Sequence, residues 1–159
     1  MKTVPSTSID IDQQPGHAIR RLHQISVGIF LQEAGDLGIT PVQYAALQVV
    51  GNQPGIDQRT LARNIALDAS TTGGVVDRLE VRGWLERKTS PEDRRARQLT
   101  LTLSGEQALR DAVPVMLRAQ EQILAPLTDS QRTTFMELLQ QLVTQNNELS
   151  RAPSEVTGK

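Results

Sequence analysis

Apolar positions recur at three- and four-residue spacing through most of the chain, the period of helices with one buried face. Start signals cut this pattern into segments. Thr40-Pro41-Val42-Gln43 sets an N-cap threonine before a proline at the first helical position and a glutamine at the third, a capping box for two otherwise orphaned amides. Ser104-Gly105-Glu106-Gln107 and Thr128-Asp129-Ser130-Gln131 repeat the pattern, and Asp57 caps a further helix with Ile56 and Leu61 placed to staple across it. The signals predict helices over about 15–35, 41–51, 57–66, 69–82, 104–125 and 128–149. One stretch has a different period. Arg97, Leu99 and Leu101 alternate with Gln98 and Thr100, and a matching short run over 84–89 lies across Ser90-Pro91-Glu92-Asp93-Arg94-Arg95, so a hairpin with a long polar tip is predicted. Gly83 stands just past the fourth helix, where a C-terminal cap favours positive φ.

The outer helices carry more apolar surface than a small core can cover. Phe135, Leu138, Leu139, Leu142, Val143 and Leu149 form one stripe; Leu109, Val113, Met116, Leu117, Ile123 and Leu124 form another, in a helix that Pro114 should bend. A second copy of the chain would cover both. The expected organisation is a tail over 1–14, one domain over 15–149 and a tail over 150–159. Within the domain, helices over about 15–38 and 104–149 pair the copies around a middle unit over about 40–103. The fold class is mainly α with a small β-hairpin.

Composition narrows the function. The absence of cysteine removes disulfides, thiolate metal sites and a cysteine nucleophile, and two histidines make no metal cage. No metal or cofactor is implied. No Ser/His/Asp arrangement or phosphate-binding glycine loop appears, so an enzyme is not expected. The chain has no apolar run long enough for a bilayer and no signal-peptide pattern at its start; a cytoplasmic protein without a membrane partner is expected. The net charge of −1 conceals a gradient: residues 57–97 hold nine Lys/Arg against seven Asp/Glu, and 87–97 hold five against two. A local basic site on an acidic body binds phosphate readily.

Two short helices joined through Ala66-Leu67-Asp68-Ala69 make a helix-turn-helix. The second sets Val75, Val76 and Leu79 toward the core and leaves Ser70, Thr71, Gly73, Gly74, Asp77 and Arg78 for the outer face or the first turn. Such a helix fits the major groove: hydroxyls reach phosphates or base edges, Arg78 pairs with guanine or phosphate, and first-turn amides face phosphate. Read alone, it is equally an amphipathic core helix. The hairpin favours the DNA reading, since Arg94, Arg95 and Arg97 cluster on a tip that buries little, and arginine is favoured in narrow minor grooves. Asp93 reads as a turn residue or as an ion-pair partner for one of them, and the pairing role is favoured.

Leu61-Ala62, Leu67-Asp68, Ser70-Thr71, Val76-Asp77-Arg78-Leu79-Glu80, Arg82-Gly83, Asp93-Arg94-Arg95 and Leu99-Thr100-Leu101-Thr102 together resemble the MarR family of bacterial transcriptional regulators. The specific part is the spacing Asp-x-Arg-x-x-x-Leu-x-Leu-Thr-x-x-Gly over 93–105. The resemblance implies a winged helix-turn-helix with N- and C-terminal dimerisation helices. It further implies a homodimer reading an inverted repeat of double-stranded DNA, the fourth helix in the major groove and Arg95 in the minor groove, with repression the commoner outcome. Gly73-Gly74 departs from the polar or basic residues usual there; glycine weakens a helix by about 1 kcal/mol relative to alanine and moves base reading toward Ser70, Thr71, Thr72 and the wing. A winged-helix protein-interaction module without DNA binding is the remaining alternative, and salt-dependent duplex binding separates the two.

A possible effector site is written on the first two helices. Arg20, His23 and Gln24 lie among Ile19, Leu22 and Ile25, and Tyr44 follows. A cation for a carboxylate and ring-hydroxyl partners beside apolar side chains suit a small aromatic carboxylate, the effector class that the family resemblance also implies. Residue by residue, ordinary packing for His23 and Tyr44 and surface charge for the arginine is the stronger reading.

Overall fold

The computed structural model describes residues 9–154. Six helices and a three-stranded sheet follow in the order α1 (Pro15–Ala34), α2 (Pro41–Asn52), β1 (Ile56–Asp57), α3 (Gln58–Asn64), α4 (Ala69–Val81), β2 (Leu85–Thr89), β3 (Arg97–Leu101), α5 (Leu103–Leu124) and α6 (Asp129–Gln145). The capping boxes at Thr40/Gln43 and Thr128/Gln131 are both closed, and the Asp57 carboxylate accepts the Thr60 N–H at 2.9 Å. Gly83 has φ +72°, as its place after α4 requires.

Three features depart from the sequence pattern. The sheet has a third strand, two residues long, with Ile56 opposite Leu99 on β3; a pair of residues is too short to show alternation. The start of α5 is capped by Thr102, not Ser104: its Oγ accepts the Gly105 N–H at 3.0 Å and donates to the Gly83 carbonyl at 2.5 Å, so one hydroxyl closes two turns. The buried face of α5 is a row of small residues, Gly105, Ala108, Ala112, Val115 and Ala119, rather than the large apolar stripe. Small side chains let the α1 backbone come close, and the larger residues are left at the flanks.

The core gathers Leu47 and Val50 of α2, Leu61 of α3, Val75, Val76 and Leu79 of α4, and Leu85 and Leu99 of the sheet, joined by Phe30 of α1 and the α5 alanines. Outside it, α6 buries no residue in its own chain. Leu138, Leu142 and Val143 of α6 and Ile19 and Ile25 of α1 are each more than half exposed. No helix among the described residues is long and apolar enough to cross a membrane.

Residues 1–8 and 155–159 of the expected tails lie outside the described residues. The described part of the first tail includes a turn of 3-10 helix capped by Asp10. After α6 the chain closes a loop: the Asn147 amide accepts the Ser154 N–H at 2.9 Å and donates to its carbonyl at 3.2 Å.

Candidate nucleic-acid interface

The local sequence sets the turn between α3 and α4. Ala66 takes φ +53°, which ends α3, and Asp68 then caps α4, accepting the Thr71 N–H at 2.8 Å and the Thr71 hydroxyl at 2.7 Å. These bonds hold the Asp68 carboxyl below the usual carboxylate range. A charged carboxylate therefore occupies one of the first-turn amides expected to face phosphate, and the Thr71 hydroxyl has a partner within the helix.

The expected contact residues of α4 separate. Ser70, Thr71 and Arg78 are exposed, and Gly74 is half-buried beneath the Arg78 side chain: a Cβ at 74 would lie 3.6 Å from its guanidinium. Thr72 is not available. It is fully buried on the face of Val75, Val76 and Leu79, and its hydroxyl donates to the Asp68 carbonyl at 2.9 Å, so its expected DNA contact is corrected to a core role. Gly73 faces α3, where a Cβ would meet the Gln58 amide at 3.4 Å.

Asp77, expected on the outer face, is bound to the sheet. Arg87 of β2 reaches Asp77 at 2.5 Å and Glu80 at 3.0 Å, fixing the wing against the helix behind its exposed side. The acidic pair at i and i+3 is visible in the sequence, but its partner depends on where β2 crosses α4. Arg82, also unassigned from sequence, donates to the carbonyls of Gly38 and Leu37 at 2.7 and 2.9 Å while its guanidinium carbon lies 3.5 Å from the centre of the Trp84 ring.

The wing tip is organised by short polar side chains. The Ser90 hydroxyl accepts the Glu92 and Asp93 N–H groups, and Asp93 accepts the Arg95 backbone N–H at 2.9 Å. Asp93 is thus a turn residue; the expected pairing with an arginine side chain is corrected, because its carboxylate is held on the backbone. Arg94, Arg95 and Arg97 are exposed and make no ion pair among the described residues.

The four effector candidates fall in two places. Arg20 donates to Gln24 at 3.1 Å on the exposed side of α1 and lies 3.4 Å from His17. His23 lines an apolar groove of about 610 Å³ with Ile19, Leu22, Ile123, Leu138 and Leu142. Tyr44 is elsewhere. Its hydroxyl donates to Gln48 at 3.0 Å and its ring leans on Phe30, with burial raising the phenol above its ordinary pKa. Phe30 is seven residues beyond His23, about 10 Å of helical rise, so one chain does not bring Tyr44 to Arg20 and His23.

Comparison with known proteins agrees with this geometry. The model of the MarR family matches residues 39–96, from the end of the α1–α2 connection to the wing tip. A putative transcriptional regulatory protein for the hcr operon of Thauera aromatica is 40% identical over 70% of this chain and 67% of its own. The HTH-type transcriptional repressor NicR of Pseudomonas putida is 30% identical over 89% of this chain and 94% of its own. Among solved structures, BpsR of Bordetella bronchiseptica superposes with a TM-score of 0.80 at 28% identity, over 85% of this chain and 96% of that one. With its winged helix-turn-helix and relatives of this extent, the chain belongs to the MarR family of transcriptional regulators.

Proposed function

We propose that the protein is a homodimeric repressor that reads an inverted repeat in double-stranded DNA and releases it on binding a small aromatic carboxylate. The observation that carries the DNA reading is the wing. Three arginines stand exposed, with no ion pair among the described residues, on a tip held in shape by Ser90 and Asp93, beside a helix whose outer face offers Ser70, Thr71, Gly74 and Arg78. Fixed cations on a pre-shaped projection suit the minor groove, and α4 fits the adjoining major groove.

The test is Arg95→Ala. Operator affinity falls by about 1–3 kcal/mol, the range for a specific arginine contact. The thermal midpoint stays at the wild-type value, since the side chain is solvated in the free protein. Fluorescence anisotropy and a melting curve measure the two; a matched loss of stability would assign Arg95 a structural role instead.

The effector reading rests on His23, which lines the apolar groove of α1, α5 and α6, and on Arg20, three residues before it on the same helix. It is supported by BpsR, whose DNA binding is regulated by 6-hydroxynicotinic acid. Linkage requires that an acid lowering operator affinity be itself bound less tightly, by the same factor, when operator is present. Calorimetry with hydroxybenzoates and hydroxynicotinates, with and without operator, reads this. Arg20→Ala removes the response and leaves unliganded DNA binding intact; acids that bind without changing operator affinity would end the switch reading.

A further inference from the structure

The wing arginines continue into a longer basic strip. Arg95 and Arg97 share a shallow cleft with Gln58 and Arg59 at the start of α3. Arg59 also lines a neighbouring cleft of about 530 Å³, whose walls are α3, the α3–α4 turn and the loop that follows α6; Arg63 and Arg151 line it too. Five arginines therefore follow one another from the wing tip, across α3, to the C-terminal loop.

Among the described residues that line the two clefts three are acidic, and each is engaged on a backbone amide: Asp57 on Thr60, Asp68 on Thr71 and Asp93 on Arg95. Arg59 and Arg151 are exposed, with no hydrogen bond or ion pair among the described residues. Arg151 is not on a trailing end. The two Asn147–Ser154 hydrogen bonds close the loop around it, and the Ala152 N–H donates to Ser150 Oγ at 3.1 Å inside it.

We propose that this strip is a track for the DNA backbone, on which Arg59 and Arg151 each hold a phosphate beyond the bases reached by α4 and the wing. The proposal rests on the DNA-binding reading above. Guanidinium groups match phosphate oxygens in a two-pronged geometry. Such contacts position the duplex without reading its sequence. The C-terminal loop thereby gives the reading head a contact from the far end of the chain.

The experiment uses a duplex that the wild-type protein selects from a randomised pool. Arg59→Ala and Arg151→Ala are each expected to flatten the plot of log affinity against log salt by about 0.9, one phosphate's worth. The affinity ratio of wild type to variant then shrinks roughly threefold between about 50 and 200 mM salt. The penalty for a single base change in a half-site stays as in wild type, and Arg151→Lys keeps the wild-type slope. Variants with wild-type slopes overturn the track, whether or not their melting midpoints move. A changed base preference overturns its backbone role. If the wild-type protein selects no duplex, the DNA-binding reading itself fails, an outcome distinct from the other two.

Discussion

Gly105→Ala is expected to destabilise the protein by about 3 kcal/mol, the upper part of the range for an inserted methyl in a filled site. A Cβ at 105 would stand 2.8 Å from the Trp84 carbonyl carbon and closer still to its oxygen. That oxygen already accepts the Thr102 N–H at 3.1 Å, so it cannot turn away without opening the junction between β3 and α5. Nor can α5 retreat, because Gly105 lies in the first turn fastened by Thr102 and heads the row of small residues against which α1 packs. Denaturant unfolding of the two proteins measures the difference. A loss below about 1 kcal/mol would mean that the first turn of α5 moves more freely than the Thr102 and Trp84 bonds imply.

Leu142→Glu is expected to separate the proposed dimer and cut operator affinity by a hundredfold or more, the scale on which a second linked binding event contributes. Leu142 lies on the groove face of α6, with more than half its surface exposed in the single chain. A carboxylate there meets water harmlessly in a monomer but would be buried against apolar side chains if a second copy covers α1 and α6. Light scattering gives the mass, and anisotropy with an inverted repeat whose half-sites lie roughly 10 bp apart gives the affinity. A variant that stays dimeric and binds as before would take α6 out of the interface.

Local chemistry was the legible part of this fold. Thr40-Pro41 and Thr128 begin helices because the cap and its glutamine lie within one turn, and such bonds depend on nothing distant. Thr72 was legible too. It precedes Val75, Val76 and Leu79 by three, four and seven residues, the spacing of a buried face, and its hydroxyl is satisfied inside the helix; its polarity alone suggested DNA. The apolar stripe of α5 misled for the opposite reason. Periodicity selects large side chains, whereas close helix packing buries Ala108, Ala112 and Ala119 and sends larger residues to the margin.

What the sequence withheld lies across long separations. Strand β1 exists only because β3 is beside it, and the Arg87 bridge needs both the sheet register and the position of α4. The wing arginines are legible as exposed cations, but nothing in the sequence decides between a side-chain partner for Asp93 and the backbone amide of its own turn, which holds it. Arg20, His23 and Tyr44 group by chemistry, a cation and two ring-hydroxyl partners beside apolar residues on the first two helices. Helical rise and the direction of α2 set them apart.

The placement of Arg82 makes the reading head a lever without a loose joint. Its two hydrogen bonds tie the end of α4 to the Leu37 and Gly38 carbonyls, in the elbow between α1 and α2, and the Trp84 ring braces its flat side. Tilting α4 by itself would break both bonds and unstack the ring. In the proposed dimer, a shift in the crossing of the long outer helices would instead turn elbow, helix and wing together, so the gap between two reading heads would open or close as an angle between rigid arms.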